Sequence, residues 1–238
     1  MKHKETRGLL AIWAGIDSDY VAEYRKWQNC QHMTERVTIP GFYVGRRYQG
    51  VHGEAYFLMM YETSDTKVLK SAPYLNAINN ATPWTREALS HYQDTVRAIY
   101  RLICTIGKEP STDAPYILVV KFDCDTESGA ALFNLYKDEY LPKMCAVEGI
   151  HRGRLYEVDL EVSNIKTNER RIHGAGPGRE RFLALFEMAS PDITSSEAWK
   201  EAQLPGDQDS IERSGKPENM SQELFWLDFM MYAPKKSH

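Results

Sequence analysis

His32 is the residue of this chain best suited to moving a proton near neutral pH, because a free imidazole titrates at about 6.5. It stands in the run "YRKWQNCQHMTER", from Tyr24 to Arg36, with Trp27, Asn29, Glu35 and Arg36 close by in sequence. Arg36, Arg46 and Arg47 offer charge-assisted bonds to a carboxylate, or to the oxygen of an enolate or phenolate. Tyr48 adds a hydroxyl, while Trp27, Tyr61 and Trp84 present flat faces to an aromatic ligand. A proton carrier, an oxyanion partner and aromatic walls suit proton transfer on an aromatic carbonyl compound. For that chemistry His32, Arg36 and Tyr48 are the expected catalytic groups. Trp27, Asn29, Arg46, Tyr61 and Trp84 are the expected substrate-binding groups.

Each of these residues also has a structural explanation. A histidine at a helix end can serve the free carbonyls there, and large aromatic side chains commonly fill cores. Glu35 and Arg36 can form local ion pairs. Neighbouring Arg46 and Arg47 on a strand must point to opposite faces, and a later Arg154 repeats Arg46, which favours a structural role for Arg46. His32-x-x-Glu35 places two metal-ligand types on one helix face, but no second motif completes a site, so no metal is expected. The scheme calls for no cofactor. "GAGPG" at residues 174–178 lacks the strand–loop–helix setting of a phosphate loop and reads as a flexible hairpin tip. GxSxG, Walker A and HExxH sequences are absent.

The elements that position these residues come from an internal duplication. "HMTERVTIPGFYVGRRY" (His32 to Tyr48) aligns with "YLPKMCAVEGIHRGRLY" (Tyr140 to Tyr156) at an offset of 108, placing Gly41 on Gly149, Gly45 on Gly153 and Arg46 on Arg154. "YFLMMYE" then aligns with "RFLALFE" at an offset of 125, so the second copy carries 125 − 108 = 17 extra residues, in the polar stretch 159–178. Each copy reads as βαββαβ. Short runs rich in β-formers begin at Gly8 and Tyr116, and helical periodicity covers 19–33 and 127–141. Tyr20, Tyr24, Trp27 and Gln31 form the apolar stripe of the first helix. At about 100° per residue His32 lies about 80° from Tyr24, at the edge of that stripe. Asn79, Asn80, Thr82 and Pro83 read as the loop ending the second helix. Long amphipathic strands from Asp94 and Gln222 close the copies.

The expected organisation is a first repeat at 1–108, a linker at 109–115 and a second repeat at 116–238 with an inserted loop at 159–178. A four-stranded antiparallel sheet with helices on one face needs cover on the other, which two such sheets can supply for each other. The expected fold is therefore α+β: two tandem ferredoxin-like βαββαβ repeats forming a pseudo-twofold α+β barrel. Pairing of the copies with a second chain, as a homodimer, is the alternative. The copies differ where chemistry could sit: Trp27, Asn29, His32, Glu35 and Arg36 correspond to Leu135, Lys137, Tyr140, Lys143 and Met144. The first repeat is thus the expected active half and the second its scaffold, with His151 and His173 left open as contributors.

Composition narrows the partners. Hydrophobic residues make up 42% and charged residues 26% of the 238, as in ordinary soluble globular proteins. A net charge of −4 and a pI near 6.0 give no general attraction to nucleic acid or an anionic membrane, so neither is an expected partner. The apolar stretch from Gly8 to Ile16 is too short to span a bilayer and is followed by no small-residue cleavage site, so a cytoplasmic location is expected. Cys30, Cys104, Cys124 and Cys145 are scattered without a CxxC pair and read as buried free thiols.

The segment "YRKWQNCQHMTERVTIPGFYVGRRYQ", followed by "YFLMMYETSD" and "SAPYLNAINNATPWT", resembles the EthD-like branch of the dimeric α+β barrel superfamily. The residues that carry the likeness are Trp27, Asn29, His32, Glu35, Arg36, Pro40, Gly41, Phe42, Arg46, Arg47, Tyr48 and the Thr82-Pro83-Trp84-Thr85 run. It covers roughly residues 8–106. The superfamily includes decarboxylases and cyclases of polyketide-type aromatics, lactone isomerases, cofactor-free oxygenases and haem-degrading enzymes. The resemblance with the one-sided polar cluster implies a cofactor-independent lyase or isomerase acting on an aromatic or polyketide-like small molecule, with His32 as general acid/base. A cofactor-free or haem-degrading monooxygenase is one alternative. A non-catalytic protein that binds a small hydrophobic molecule is the other.

Overall fold

The structure is a computed structural model that describes residues 6–109, 114–123, 133–178, 180–203 and 218–235. Cys124, most of the expected linker and the start of the second repeat's first helix lie outside these residues.

The first repeat runs β1 (Gly8–Ile16), α1 (Val21–Trp27), a wide helical turn Gln28–His32 and α2 (Met33–Val37). It continues through β2 (Phe42–Gly50), β3 (Gly53–Thr63), a 3-10 turn Thr66–Lys70, α3 (Ala72–Asn79), α4 (Pro83–Ser90) and β4 (Tyr92–Gly107). The second has β5 (Tyr116–Asp123), a wide turn Tyr136–Tyr140, α5 (Leu141–Cys145) and β6 (Ile150–Val158). After β6 come α6 (Leu160–Ser163) and α7 (Asn168–His173), then β7 (Phe182–Met188), a 3-10 turn Pro191–Ser195, α8 (Glu197–Ala202) and β8 (Glu218–Tyr232). The strands follow the order β1-β3-β2-β8-β5-β7-β6-β4 in a closed antiparallel barrel, which is the α+β fold expected of the two repeats. The copies match in detail: both wide turns and both left-handed glycines, Gly41 (φ +96°) and Gly149 (φ +85°), fall at the offset of 108.

Strand alternation sorts the residues of the first repeat. Leu10, Ala14, Met59 and Tyr61 join the core beneath the helices, with Leu10 and Gly45 both opposite Tyr61 across the ladder. Gly45 leaves room for Met33, since a Cβ there would overlap the Met33 sulfur and touch the Tyr61 ring. In the second repeat Gly153 makes the same room for Cys145 and Leu141, beside a core that includes Leu118, Phe122, Phe186 and Trp199.

The chain forms two compact units that do not follow the repeat boundaries. One comprises residues 1–101, 158–178 and 227–238; the other comprises 102–157 and 179–226. The inserted stretch of the second repeat thus packs with the first. It is not the loop with a flexible tip that its polar composition suggested. Asp159 and Thr167 cap α6 and α7 with their side chains, and Gly174 ends α7 in the left-handed conformation. Ser163 Oγ bonds both the N–H and the C=O of Ile99, and the Arg97 N–H donates to the Gly176 carbonyl at 2.9 Å. Val162 is buried in the core of the first repeat.

The cysteines depart in part from expectation: Cys104 and Cys145 are half-buried free thiols, whereas Cys30 is exposed. Burial pushes the Cys145 thiol up to about 11.

Candidate active site

His32 does not sit at the edge of the aromatic stripe. The turn Gln28–His32 is a π-helix, which accommodates one extra residue. That sets His32 back by about one residue's rotation, about 100°, and brings it from about 80° to within about 20° of Tyr24. The side chain is therefore buried, with its ring 4.3 Å from that of Trp27 and 6.4 Å from that of Tyr61, centroid to centroid. Trp27 is fixed from behind, its indole N–H donating to Thr85 Oγ1 at 3.2 Å. Thr85 lies in α4, whose start is capped by Thr82 and primed by Pro83, so "TPWT" begins a helix where a loop was expected.

Beside His32 is a cavity of about 20 Å³, measured as the space open to the centre of a water molecule. That is room for about one or two waters. Its apolar wall includes Leu10, Ile12, Met59, Ile78 and Leu89. Its polar wall includes His32, Arg36, Tyr61 and Arg97, with Thr167, Glu169 and His173 from the inserted segment. Six buried atoms on the lining have no hydrogen-bond partner among the described residues: Gln28 Nε2 and Oε1, His32 Nδ1, Arg36 Nη1, Tyr61 Oη and Arg97 Nη1. Buried polar atoms are normally satisfied, so six together on one small cavity mark a place built to hold water or a polar ligand.

The charges are arranged around a neutral histidine. Arg36 Nη2 pairs with Glu169 Oε1, both side chains nearly shielded from water. Arg97 Nη2 donates to the Tyr74 hydroxyl at 3.1 Å. Burial above all, then the Arg36 guanidinium and His173, holds the His32 imidazole well below its ordinary 6.5. His173 is lowered to about 4 by burial, with Arg97 and Arg170 adding to it. Burial raises the Tyr61 phenol, so it stays a donor at neutral pH, and raises Glu169 against the opposing pull of Arg36. The site therefore presents a neutral proton acceptor, two cations and a phenolic donor.

The structure brings together His32, Arg36, Tyr61 and Trp27 and sets the other expected residues apart. Arg46 pairs with Glu62, and Arg154 with Glu187, on the sheet face away from the helices. Tyr48 alternates with Arg47 and shares the Arg46 face, so it does not reach the cavity. Asn29 accepts from Arg47 Nη1 at 3.1 Å, and Arg47 Nε bonds Asp228 at 2.7 Å, making a separate polar cluster. Trp84 is half-buried on α4 with Lys26 over its ring, away from the cavity lining. His173, left open as a contributor, lines the cavity, whereas Arg97, Thr167 and Glu169 went unrecognised. For α7 the signal was present, Thr167 as N-cap and Gly174 as the stop; for Arg97 nothing local marked it.

No known protein family and no curated protein matches the chain. Solved structures do, at low identity. An anthrone oxidase-like protein matches with a TM-score of 0.62 and 10% identity, over 98% of this chain and 96% of its own. A candidate monooxygenase from Lactobacillus acidophilus matches with a TM-score of 0.59 and 9% identity, over 96% and 97%. A chlorite dismutase variant from Candidatus Nitrospira defluvii matches with a TM-score of 0.50 and 13% identity, over 92% and 91%. The chain shares the dimeric α+β barrel fold with these neighbours, whereas the EthD-like branch is not shown. Among the described residues, no helix is long and apolar enough to cross a membrane, and no cluster of three or more His, Cys, Asp or Glu could hold a metal ion.

Proposed function

We propose that this chain is a cofactor-independent oxygenase that opens its reaction by proton transfer to His32. The observation that carries the reading is a buried, neutral imidazole with a free Nδ1 beside two guanidinium groups and a free phenol. His32 would accept a proton from a methylene carbon next to an aromatic carbonyl, and the C–H electron pair would move onto the carbonyl oxygen. The Tyr61 hydroxyl would donate to the resulting enolate, a role for which a buried donor is effective. Dioxygen would add at the carbanionic carbon, and loss of water from the hydroperoxide would leave a new carbonyl. The balance is one methylene group and one dioxygen giving one carbonyl group and one water, with His32 returning its proton to the departing hydroxide.

The names of two structural neighbours, an anthrone oxidase-like protein and a candidate monooxygenase, support dioxygen as the second reactant. The same first step without dioxygen would give a lyase or isomerase, and the His32 geometry serves both. The cavity admits a reacting group but not a ring, so an aromatic substrate requires the α6–α7 segment to move. The test is oxygen uptake with anthrone-type and hydroxyaryl ketones by the wild type and by His32→Asn. Uptake that falls at least about 100-fold in the variant is expected of a lost general base. Turnover without uptake would move the assignment to the lyase or isomerase, and turnover within a few-fold of wild type in His32→Asn would overturn the mechanism.

A further inference from the structure

We propose that Arg36 and Arg97 together form a subsite for a carboxylate borne by the substrate. The proposal rests on the proton-transfer reading only for what His32 does next; the binding itself stands on the geometry.

Both arginines are nearly inaccessible to water, with 3% and 5% of their surface exposed, and both line the same cavity. Each has spent part of its guanidinium: Arg36 on Glu169 and Arg97 on the Tyr74 hydroxyl. Each keeps Nη1 without a hydrogen-bond partner among the described residues. The other groups near the cavity do not balance the charge. Tyr61 and Tyr92 are phenols held neutral by burial, and His32 and His173 are neutral imidazoles. Arg170 adds a further cation, satisfied by the carbonyls of Ser163, Ile165 and Ala175. Glu35 accepts from Gln31 at 2.7 Å and does not line the cavity. Among the described residues, Glu169 is thus the single carboxylate on the lining, set against two guanidinium groups.

Unspent donors on two buried cations are costly without an acceptor, and an anion is the acceptor that also balances their charge. Size decides which anion. A cavity of about 20 Å³ suits a planar group with two oxygens, which the guanidinium fork matches, and is too small for a ring. The carboxylate would enter first, leaving the rest of the substrate toward the α6–α7 segment. Its charge would offset that of Arg36, which opposes protonation of His32, and the imidazole would become a stronger base once the substrate is bound.

The test is calorimetric titration of the full chain at neutral pH with formate and benzoate, and with formamide and benzamide as neutral counterparts. The acids are expected to bind saturably and the amides at least about tenfold more weakly. Arg97→Gln should weaken acid binding by about tenfold or more, and Arg97→Lys by less. Arg101→Gln, at an exposed position of the same strand, should leave it unchanged. Bound benzoate should also raise the NMR titration midpoint of His32 in the wild type. Equal binding of acids and amides, an acid affinity in folded Arg97→Gln within about twofold of wild type, or an unmoved His32 midpoint would overturn the subsite. Should Arg97→Gln fail to fold, the wild-type acid/amide comparison and the His32 titration decide. None of these measurements needs turnover: acid binding retained in His32→Asn without oxygen uptake by any protein would keep the subsite and remove the oxygenase.

Discussion

Replacing Glu169 with leucine should be among the most damaging single changes in the inserted segment. Its carboxylate is the partner of Arg36, and the two side chains are 11% and 3% exposed. Removing one member of a buried pair leaves the other charged and desolvated, at a cost of about 3–5 kcal/mol. For a chain of this length each kcal/mol lowers the melting temperature by about 2–4 °C, so a fall of roughly 6–20 °C is expected. Removing both charges, as Arg36→Met with Glu169→Leu, should recover most of the loss, because an apolar pair of similar volume is often neutral or stabilising. Lys70→Ala is the control. It also cuts a tie to the insert, the 2.6 Å pair with Glu161, but those side chains are 38% and 77% exposed, and an exposed pair of this kind adds little to stability. Urea unfolding followed by tryptophan fluorescence reads all four proteins. A Glu169→Leu loss no larger than that of Lys70→Ala would refute the reasoning, since it would mean that the pair is not desolvated. Activity and stability should also part company: the same change frees Arg36 and should tighten benzoate binding while it weakens the fold.

Two further predictions concern stability. His173 is depressed from 6.5 to about 4 and His32 also lies well below 6.5, so each contributes stability that is complete above about 6.5 and is lost as pH falls toward the folded value. His173 alone accounts for about 3 kcal/mol over that window; His173→Phe, which keeps the stack on Tyr92, should flatten the acid limb of the urea midpoint against pH, and an unchanged limb would refute this. Gly45→Ala should cost about 1–3 kcal/mol because its methyl meets Met33 and Tyr61, whereas Gly176→Ala, with open space around it, should be nearly neutral; equal melting temperatures would show that Met33 yields freely.

The duplication and the barrel were legible because strand alternation, paired glycines and repeated Arg–Tyr positions survive as spacing, and spacing is what a sequence displays. The sheet faces of Arg46 and Arg47 followed from the same period of two. The position of His32 was harder to read. A uniform helical wheel cannot register a π turn, and the extra residue turned the imidazole from the rim into the core. Arg97 was hidden for another reason. On a long amphipathic strand an arginine reads as solvent-facing, and only the arrival of Gly176 and the α7 segment from distant sequence buries it. Tyr48 and Arg46 were expected at the site on side-chain type alone, which carries no information about which face a strand presents.

The insertion explains why only one copy carries the candidate chemistry. At the positions of His32 and Arg36 the second repeat has Tyr140 and Met144, and Met144 is buried in an apolar core with no charge to neutralise. A buried arginine in that place would need a carboxylate, and the tight Gly50–Gly53 connection of the first repeat has no length from which to supply one to an equivalent site. The corresponding connection of the second repeat carries 17 extra residues, and these bring Glu169 to Arg36, Thr167 and His173 to the cavity wall, and Gly176 to the backbone of Arg97. The charged cluster and the longer connection therefore depend on each other. Arg36 is tolerable in the core of the first repeat because the second copy supplies its counter-ion, and the insert has a fixed seat because Arg36 and Ile99 hold it there. On this account the residues that break the symmetry of the duplication are the ones that complete the site.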